Sequence, residues 1–355
     1  MSLSIGIVGL PNVGKSTLFN ALLKKQTAFV ANYPFATIEP NIGVVPVNDK
    51  RLILLSQITQ SEHKMSTPPP IIPATVSFVD IAGLVRGAAE GEGLGNKFLS
   101  HIREVDAIAQ VVRHFKNENI IRHESSENPK SDFEVVNTEL ILADLETLNK
   151  QPEPRGNASK EDLLRFLAVQ KLKDALNQGK LAKDVELTDD EKEVARDLHL
   201  LTSKPMFIIA NVDEEDLTKD FGPDTIAVCA KTEQELSELS EEEQKDYLKS
   251  LGVDESGLER VIAEGYKILD LISFLTAGEK EVRAWTIKKG TNAQNSAGVI
   301  HTDFIKGFIK AEVVAYDDFV ENKGWKGSRE AGKTRFEGKE YIVKDGDVIE
   351  FKINS

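Results

Sequence analysis

A single cysteine, Cys229, is all that the 355 residues provide. No internal disulfide can form, which excludes a secreted disulfide scaffold and suits a reducing compartment. Long apolar runs are missing as well: no stretch approaches the roughly 20 apolar residues that span a bilayer, and residues 1–8 have neither a basic patch nor a leader-length apolar segment. A soluble, cytoplasmic protein without membrane contact is expected. An excess of positive charge is also lacking, since 44 Lys and Arg stand against 58 Asp and Glu for a net charge of −14. The chain as a whole is therefore no nonspecific polyanion binder; DNA is not expected as a partner, and any RNA contact must be local.

What is present suffices for real cores: 40% of the residues are hydrophobic, and the length suits two or three domains. Short β-branched segments (4–9, 75–80, 107–112) alternate with helical patterns, the rhythm of an α/β fold with a parallel sheet. Pro68, Pro69, Pro70 and Pro73 read as a loop leading into the strand over 75–80. From 137 to 201 strand signals vanish. Ile141, Leu145 and Leu148 form one apolar stripe, and Leu164, Leu167, Ala168, Leu172, Ala175 and Leu176 form a second. The Pro-rich turn over 151–157 and a stop at Gly179 make these an inserted helical hairpin, and Thr188 with Glu191 reads as a capping box opening a third helix. Strands resume at 206–210 and 226–229. Between 233 and 264, eleven acidic residues against Lys245, Lys249 and Arg260 read as a solvated helical face. A separate small β-rich domain with near-neutral charge begins at 278. The expected domains are 1–136 with 202–277, the insert 137–201, and 278–355, in a monomer.

Gly9-Leu10-Pro11-Asn12-Val13-Gly14-Lys15-Ser16 matches G-x-x-x-x-G-K-[ST] between a strand and a helix, the context of a P-loop. Its glycines let backbone N–H groups converge on a phosphate, Lys15 would bridge the β- and γ-phosphates, and Ser16 would offer a hydroxyl to Mg²⁺. Asp80-Ile81-Ala82-Gly83 ends the next strand as D-x-x-G, with Asp80 on the Mg²⁺ side and the Gly83 N–H sensing the γ-phosphate. Thr37 is a second candidate Mg²⁺ hydroxyl. Gly87, Gly91, Gly93 and Gly95 make a hinge-rich stretch that favours a nucleotide switch over a small-molecule kinase. Leu84 stands where switch GTPases place a water-orienting glutamine, so intrinsic turnover should be slow and catalysis should rest on Lys15, backbone N–H groups and Mg²⁺. Arg86 is a candidate arginine in cis. His63, His101, His123, His199 and His301 show no ligand spacing.

At the base, guanine readers use N-K-x-D; here Asn211-Val212-Asp213-Glu214 puts a longer acceptor in fourth place and Val212 where a lysine would flank the base. Guanine would leave that carboxylate poorly paired, which costs on the order of 1 to 3 kcal/mol, so ATP preference is expected.

The chain resembles the YchF or Obg-like ATPase family end to end. The resemblance rests on Gly9 to Thr17, Pro34 to Pro40, Asp80 to Val85, Gly91 to Asn96, Asn211 with Glu214, and Ala277 to Ile287. It implies a G domain of the Obg type, an inserted helical coiled-coil arm, a C-terminal ubiquitin-like TGS domain, and association with the ribosome (large subunit and 70S) and its RNA through arm and TGS domain. Carried over residue by residue, it implies a nucleotide site of Asn12, Val13, Gly14, Lys15, Ser16, Thr17, Phe35, Ala36, Thr37, Ile38, Glu39, Ala82, Gly83, Leu84, Val85, Phe115, Asn211, Val212, Glu214, Cys229, Ala230 and Lys231. Ser16 and Thr37 would hold Mg²⁺, and Asn12 would help place K⁺. The chain departs from the family at Gln110, where members often carry a histidine in a proposed catalytic role, and in its short hairpin tip. Lys306, Lys310, Lys323, Lys326, Arg329, Lys333 and Arg335 beside aromatics of the tail suit RNA or an ordinary basic rim equally. A ribosome-associated ATPase, a GTP-specific assembly GTPase and a non-hydrolysing adaptor all stay open on sequence.

Overall fold

The computed structural model describes residues 3–32, 41–81, 94–117, 128–154, 156 and 158–354. In chain order, β1 (Ser4–Val8) leads into α1 (Lys15–Asn32), β2 (Ile42–Pro46), α2 (Arg51–Glu62), β3 (Ile71–Ile72), β4 (Thr75–Asp80), α3 (Leu94–Glu104) and β5 (Ala107–Arg113). Helices α4 (Pro129–Asn149), α5 (Lys160–Asn177) and α6 (Asp189–Arg196) follow, then β6 (Met206–Asn211), β7 (Thr225–Val228), α7 (Ala230–Leu236), α8 (Glu241–Ser250) and α9 (Gly257–Ile268). The remainder forms β8 (Leu271–Ala277), β9 (Val282–Lys288), α10 (Ala293–Ile300), α11 (Asp303–Gly307), β10 (Phe308–Ala315), α12 (Tyr316–Glu321), α13 (Trp325–Glu330), β11 (Arg335–Glu337) and β12 (Asp347–Ile353).

The chain divides into two compact units. The first, Met1–Val44 with Ser77–Val261, is built on a sheet of order β2-β4-β1-β5-β6-β7. β1 lies parallel between β4 and β5, and β6 and β7 continue the parallel run. Every residue of β5 is buried, as expected for a central strand covered on both faces. Ile7 pairs with Asp80 and Val8 with Gln110, so the ends of the P-loop strand and of the D-x-x-G strand open at one edge of the sheet.

Helix α4 starts at Pro129, earlier than the expected 137, because Asn128 and Ser131 form a capping box with Pro at the first helical position. Ile141, Leu148, Val169, Leu172, Leu176, Leu198 and Leu200 make the core shared by α4, α5 and the segment after them. Leu167 departs from the expected stripe: it is 55% exposed, while Val169, outside the stripe read from sequence, is 3% exposed. The buried row on α5 is Ala168, Val169, Leu172 and Leu176, one helical face at steps of three and four. Past that helix the chain turns at Gly179 with φ +77°, and the Gly179 and Lys180 N–H groups return to Leu176 O and Ala175 O, satisfying the last carbonyls. Thr188 and Glu191 do cap each other at the start of α6.

The second unit comprises Val45–Val76 and Ile262–Ser355. Its sheet has the order β11-β10-β12-β8-β9-β3. Here the structure differs from the sequence-based division, which kept 45–76 with the nucleotide domain and began the last domain at 278. Ile71 and Ile72 pair with Val282 and Arg283, Pro70 O accepts from the Val282 N–H, and Leu52 and Leu55 of α2 pack with Leu275, Val282, Phe319, Trp325 and Val348. The Pro-rich stretch thus carries a short edge strand, where the missing N–H groups of proline are tolerated. β8 also belongs here, paired antiparallel with β9 along its whole length.

Candidate functional site

The loop between β1 and α1 owes its path to three residues with positive φ: Gly9 at 153°, Asn12 at 63° and Gly14 at 100°. A Cβ on Gly9 would lie 2.5 Å from Val111 O, and one on Gly14 would lie 2.1 Å from Asn211 Nδ2. Neither position admits a side chain, which is why the motif needs glycine at both.

Lys15 is only 7% exposed, and its Nζ donates to Leu10 O at 2.7 Å, back across its own loop. Burial pulls its ammonium down to about 8, while the charge of Asp80 pulls it up. Burial raises Asp80 above the usual carboxylate range, and the Lys15 charge opposes that. Asp80 Oδ1 is buried with no hydrogen-bond partner. The Ser16 side chain is exposed at the start of α1, and Thr17 is half-buried. An unpartnered buried carboxylate oxygen at the end of β4 and a serine hydroxyl at the start of α1 make a donor set that fits a hard divalent cation. Among the described residues no group of three or more His, Cys, Asp or Glu could hold a metal by itself, so oxygens of a bound phosphate would have to complete the shell, as Mg²⁺ sites commonly arrange.

Asn211 ties this loop to the far side of the site. Its Nδ2 donates to Val13 O at 2.9 Å, its Oδ1 accepts from the Ala230 N–H at 3.1 Å, and its carbonyl accepts from the N–H groups of His114 and Phe115. The buried side chain thereby joins the P-loop to the start of α7, and the backbone of the same residue holds the segment after β5. Phe115 is half-buried under the Arg113 guanidinium, 4.4 Å from its ring centroid. Glu214, half-buried, accepts from Thr232 Oγ1 and the Tyr247 hydroxyl. Asp213 turns away and accepts from the Lys116 N–H. Lys231 is exposed, its Nζ 3.7 Å from Glu235.

Val212 does not offer its side chain where a lysine would flank a base: it is 1% exposed and packs with Ala210, Leu217, Ala227 and Cys229. Cys229 is likewise a core residue, 5% exposed in the same cluster. Gln110 is fully buried and donates to Phe133 O at 3.2 Å, which holds its amide under α4. Phe35, Ala36, Thr37, Ile38, Glu39, Ala82, Gly83, Leu84, Val85 and Arg86 lie outside the described residues. Sequence reasoning missed Leu10 as the partner of Lys15, and missed Thr232 and Tyr247. Thr232 directly follows the expected base loop and was within reach of a spacing argument; Tyr247 lies 33 residues from Glu214 and has no local signal.

Comparison with known proteins gives the site its context. The chain is 47% identical to the ribosome-binding ATPase YchF of Bacillus subtilis (strain 168), over 100% of both chains. It is also 47% identical to the ribosome-binding ATPase YchF of Escherichia coli O157:H7, again over 100% of both. The chain belongs to the YchF family. The solved structure of the Schizosaccharomyces pombe YchF GTPase superposes with a TM-score of 0.86 at 37% identity, covering 99% of this chain and 98% of that one. Two family models match: MMR_HSR1, described as a 50S ribosome-binding GTPase, over residues 4–138, and YchF-GTPase_C, described as a protein of unknown function, over residues 271–354. The C-terminal YchF match begins at Leu271, the first residue of β8, in accord with the sheet pairing rather than with a boundary at 278. The fold is that of a P-loop GTPase domain followed by the C-terminal YchF domain.

Proposed function

We propose that the chain is a Mg²⁺-dependent P-loop ATPase, preferring ATP to GTP, that serves as a nucleotide-gated switch on the ribosome. The buried Lys15 folded back across the P-loop, with its charge felt by Asp80, one of whose oxygens is buried and unpartnered, is the observation that carries this reading. A lysine held near pH 8 by burial regains full charge when a polyphosphate arrives, so binding energy concentrates where negative charge must be stabilised. The loop N–H groups and Lys15 cradle the β- and γ-phosphates, and Asn211 keeps the loop in register with the base side. Ser16 and Asp80, together with Thr37, would hold Mg²⁺, which when bound neutralises charge developing on the transferred phosphoryl group. Gly83 would sense the γ-phosphate. Leu84 supplies no side chain to orient water, so a slow basal rate that rises with a partner or with K⁺ placed near Asn12 completes the proposal.

The relatives named as ribosome-binding ATPases motivate the ribosome as partner, in the large subunit and the 70S particle. The inserted helices within 137–201 and the TGS-type C-terminal domain are the proposed contacts with ribosomal RNA, and a cytoplasmic monomer follows from that setting. Two measurements test the reading. ATP and GTP should compete for one site with ATP the tighter ligand; equal affinities would remove the base assignment. Multiple-turnover phosphate release, followed in KCl and in NaCl with and without 70S ribosomes, should be slow alone and faster with K⁺ or ribosomes. A fast rate indifferent to both would exclude the partner-activated switch, and absence of turnover under all conditions would favour a nucleotide-gated adaptor.

A further inference from the structure

Glu214 opens the short turn that directly follows β6, and a single one of its oxygens, Oε1, receives two hydroxyls. Thr232 Oγ1 donates at 2.6 Å from α7, and the Tyr247 hydroxyl donates at 2.8 Å from α8. Thr232 is 1% exposed and Tyr247 is half-buried, so bulk water competes little for the first of these bonds.

The chemistry of the two purines makes that double occupancy matter. A carboxylate reads guanine with both oxygens, one accepting N1–H and the other N2–H. Adenine presents one donor on the same edge, N6–H, beside N1, which is an acceptor and gains nothing from a second carboxylate oxygen. An oxygen that already holds two donors has its lone pairs committed. Resting on the reading of Asn211 to Lys231 as the base site, we propose that Thr232 and Tyr247 are positioning residues that set nucleotide preference: they fill Oε1 and leave Glu214 a one-oxygen reader, suited to adenine and short of one acceptor for guanine. The same two hydroxyls, Thr232 first and Tyr247 second, hold the Glu214 carboxyl below its usual range. The residue therefore stays an acceptor at neutral pH. Glutamate in place of aspartate is then one of two parts of the selectivity, and the second comes from a helix with no motif of its own.

A merely structural fastening of α7 and α8 to the end of β6 would give a different result, because loosening it would weaken both nucleotides in parallel. The test uses the full chain and measures equilibrium binding of ATP and GTP to the parent, Tyr247→Phe, Thr232→Val and the double variant, with Glu214→Gln as control. Each of the first two substitutions removes a hydroxyl and keeps the outline of the side chain. The double variant should bind GTP more tightly than the parent and show an ATP-to-GTP affinity ratio smaller by about tenfold, the worth of one hydrogen bond to a charged group, with the single variants between. An unchanged ratio, or a parallel loss of both affinities, overturns the proposal. Glu214→Gln separates the two levels: if it shifts the ratio while the hydroxyl variants do not, the base site stands and the proposal fails; if it leaves the ratio unchanged, the base site itself is wrongly placed.

Discussion

Lys15 carries a charge that the surrounding protein only partly compensates. Its Nζ donates to Leu10 O and the charge of Asp80 favours the ammonium, yet burial still lowers its folded-state pKa to about 8 from an ordinary 10.5. A lysine with a depressed folded pKa binds fewer protons folded than unfolded between those two values, so stability of the nucleotide-free protein rises with pH from about 8 to about 10.5 and is flat below. Lys15→Met should accordingly raise the neutral-pH stability of the nucleotide-free chain by about 1 to 3 kcal/mol, read as a higher Tm, while triphosphate binding is lost. A lower Tm would show that the ammonium is better solvated than its burial implies. Lys15→Ala should depress phosphate release by about a hundredfold or more, and near-parental turnover would sink the phosphate-site assignment. Because phosphate should restore the lysine charge, ATP binding near pH 8 is expected to take up protons and to weaken as the pH rises further. Calorimetry in two buffers of different ionisation enthalpy reads this directly, and equal apparent heats would refute it.

Among the elements, a buried carboxylate fastens the inserted helix α4 to the segment that leads into β6. Asp144 of α4 is fully buried and accepts from the Leu201 N–H, the Thr202 N–H and Thr202 Oγ1, immediately ahead of β6 and hence of Asn211. Asp144→Asn would turn an amide against donors and should destabilise the protein by about 1 to 3 kcal/mol; chemical denaturation measures it, and an unchanged midpoint would mean the turn is held elsewhere. Such local chemistry was largely readable in advance. The P-loop, the strand ending at Asp80, the cap at Thr188 and the stop at Gly179 each follow from residues a few positions apart, because turns and caps are set by nearby backbone geometry. Leu167 and Val169 were misplaced because a stripe read at ideal periodicity cannot tell which edge of it the neighbouring helix covers. The hydroxyls on Glu214 were invisible for the opposite reason: Tyr247 sits among acidic residues on α8, and only folding brings it to the base side. The burial of the Val212 side chain was hidden for a like reason, since motif spacing does not show that Leu217 and Cys229 enclose it.

On the scale of the whole molecule, the least readable feature is the membership of residues 45–76. A two-residue strand, Ile71–Ile72, and a helix that leaves Ile53 55% exposed give weak periodicity, and nothing local says that their partners lie beyond residue 262. Leu55 is fully buried among Leu275, Val282, Phe319 and Trp325, so Leu55→Ala should destabilise the second unit by about 2 to 5 kcal/mol. Both tryptophans of the chain, Trp285 and Trp325, belong to that unit, which makes intrinsic fluorescence a selective probe of its unfolding; a fluorescence midpoint unmoved by the substitution would show that α2 is dispensable to it. The chain's order of synthesis gives this arrangement a further meaning. Helix α2, with Leu52 and Leu55, is made before residues 77–261, and the strands that cover it are made only after them. Throughout elongation of residues 77–261 those leucines belong to a unit that does not yet exist, and the second unit can close only after residues 262–355 have followed. While residues 77–261 are being made, the apolar face of that segment has no partner strands to cover it, a period in which chaperone cover or slow elongation would matter more to it than to a protein whose domains follow one another along the chain.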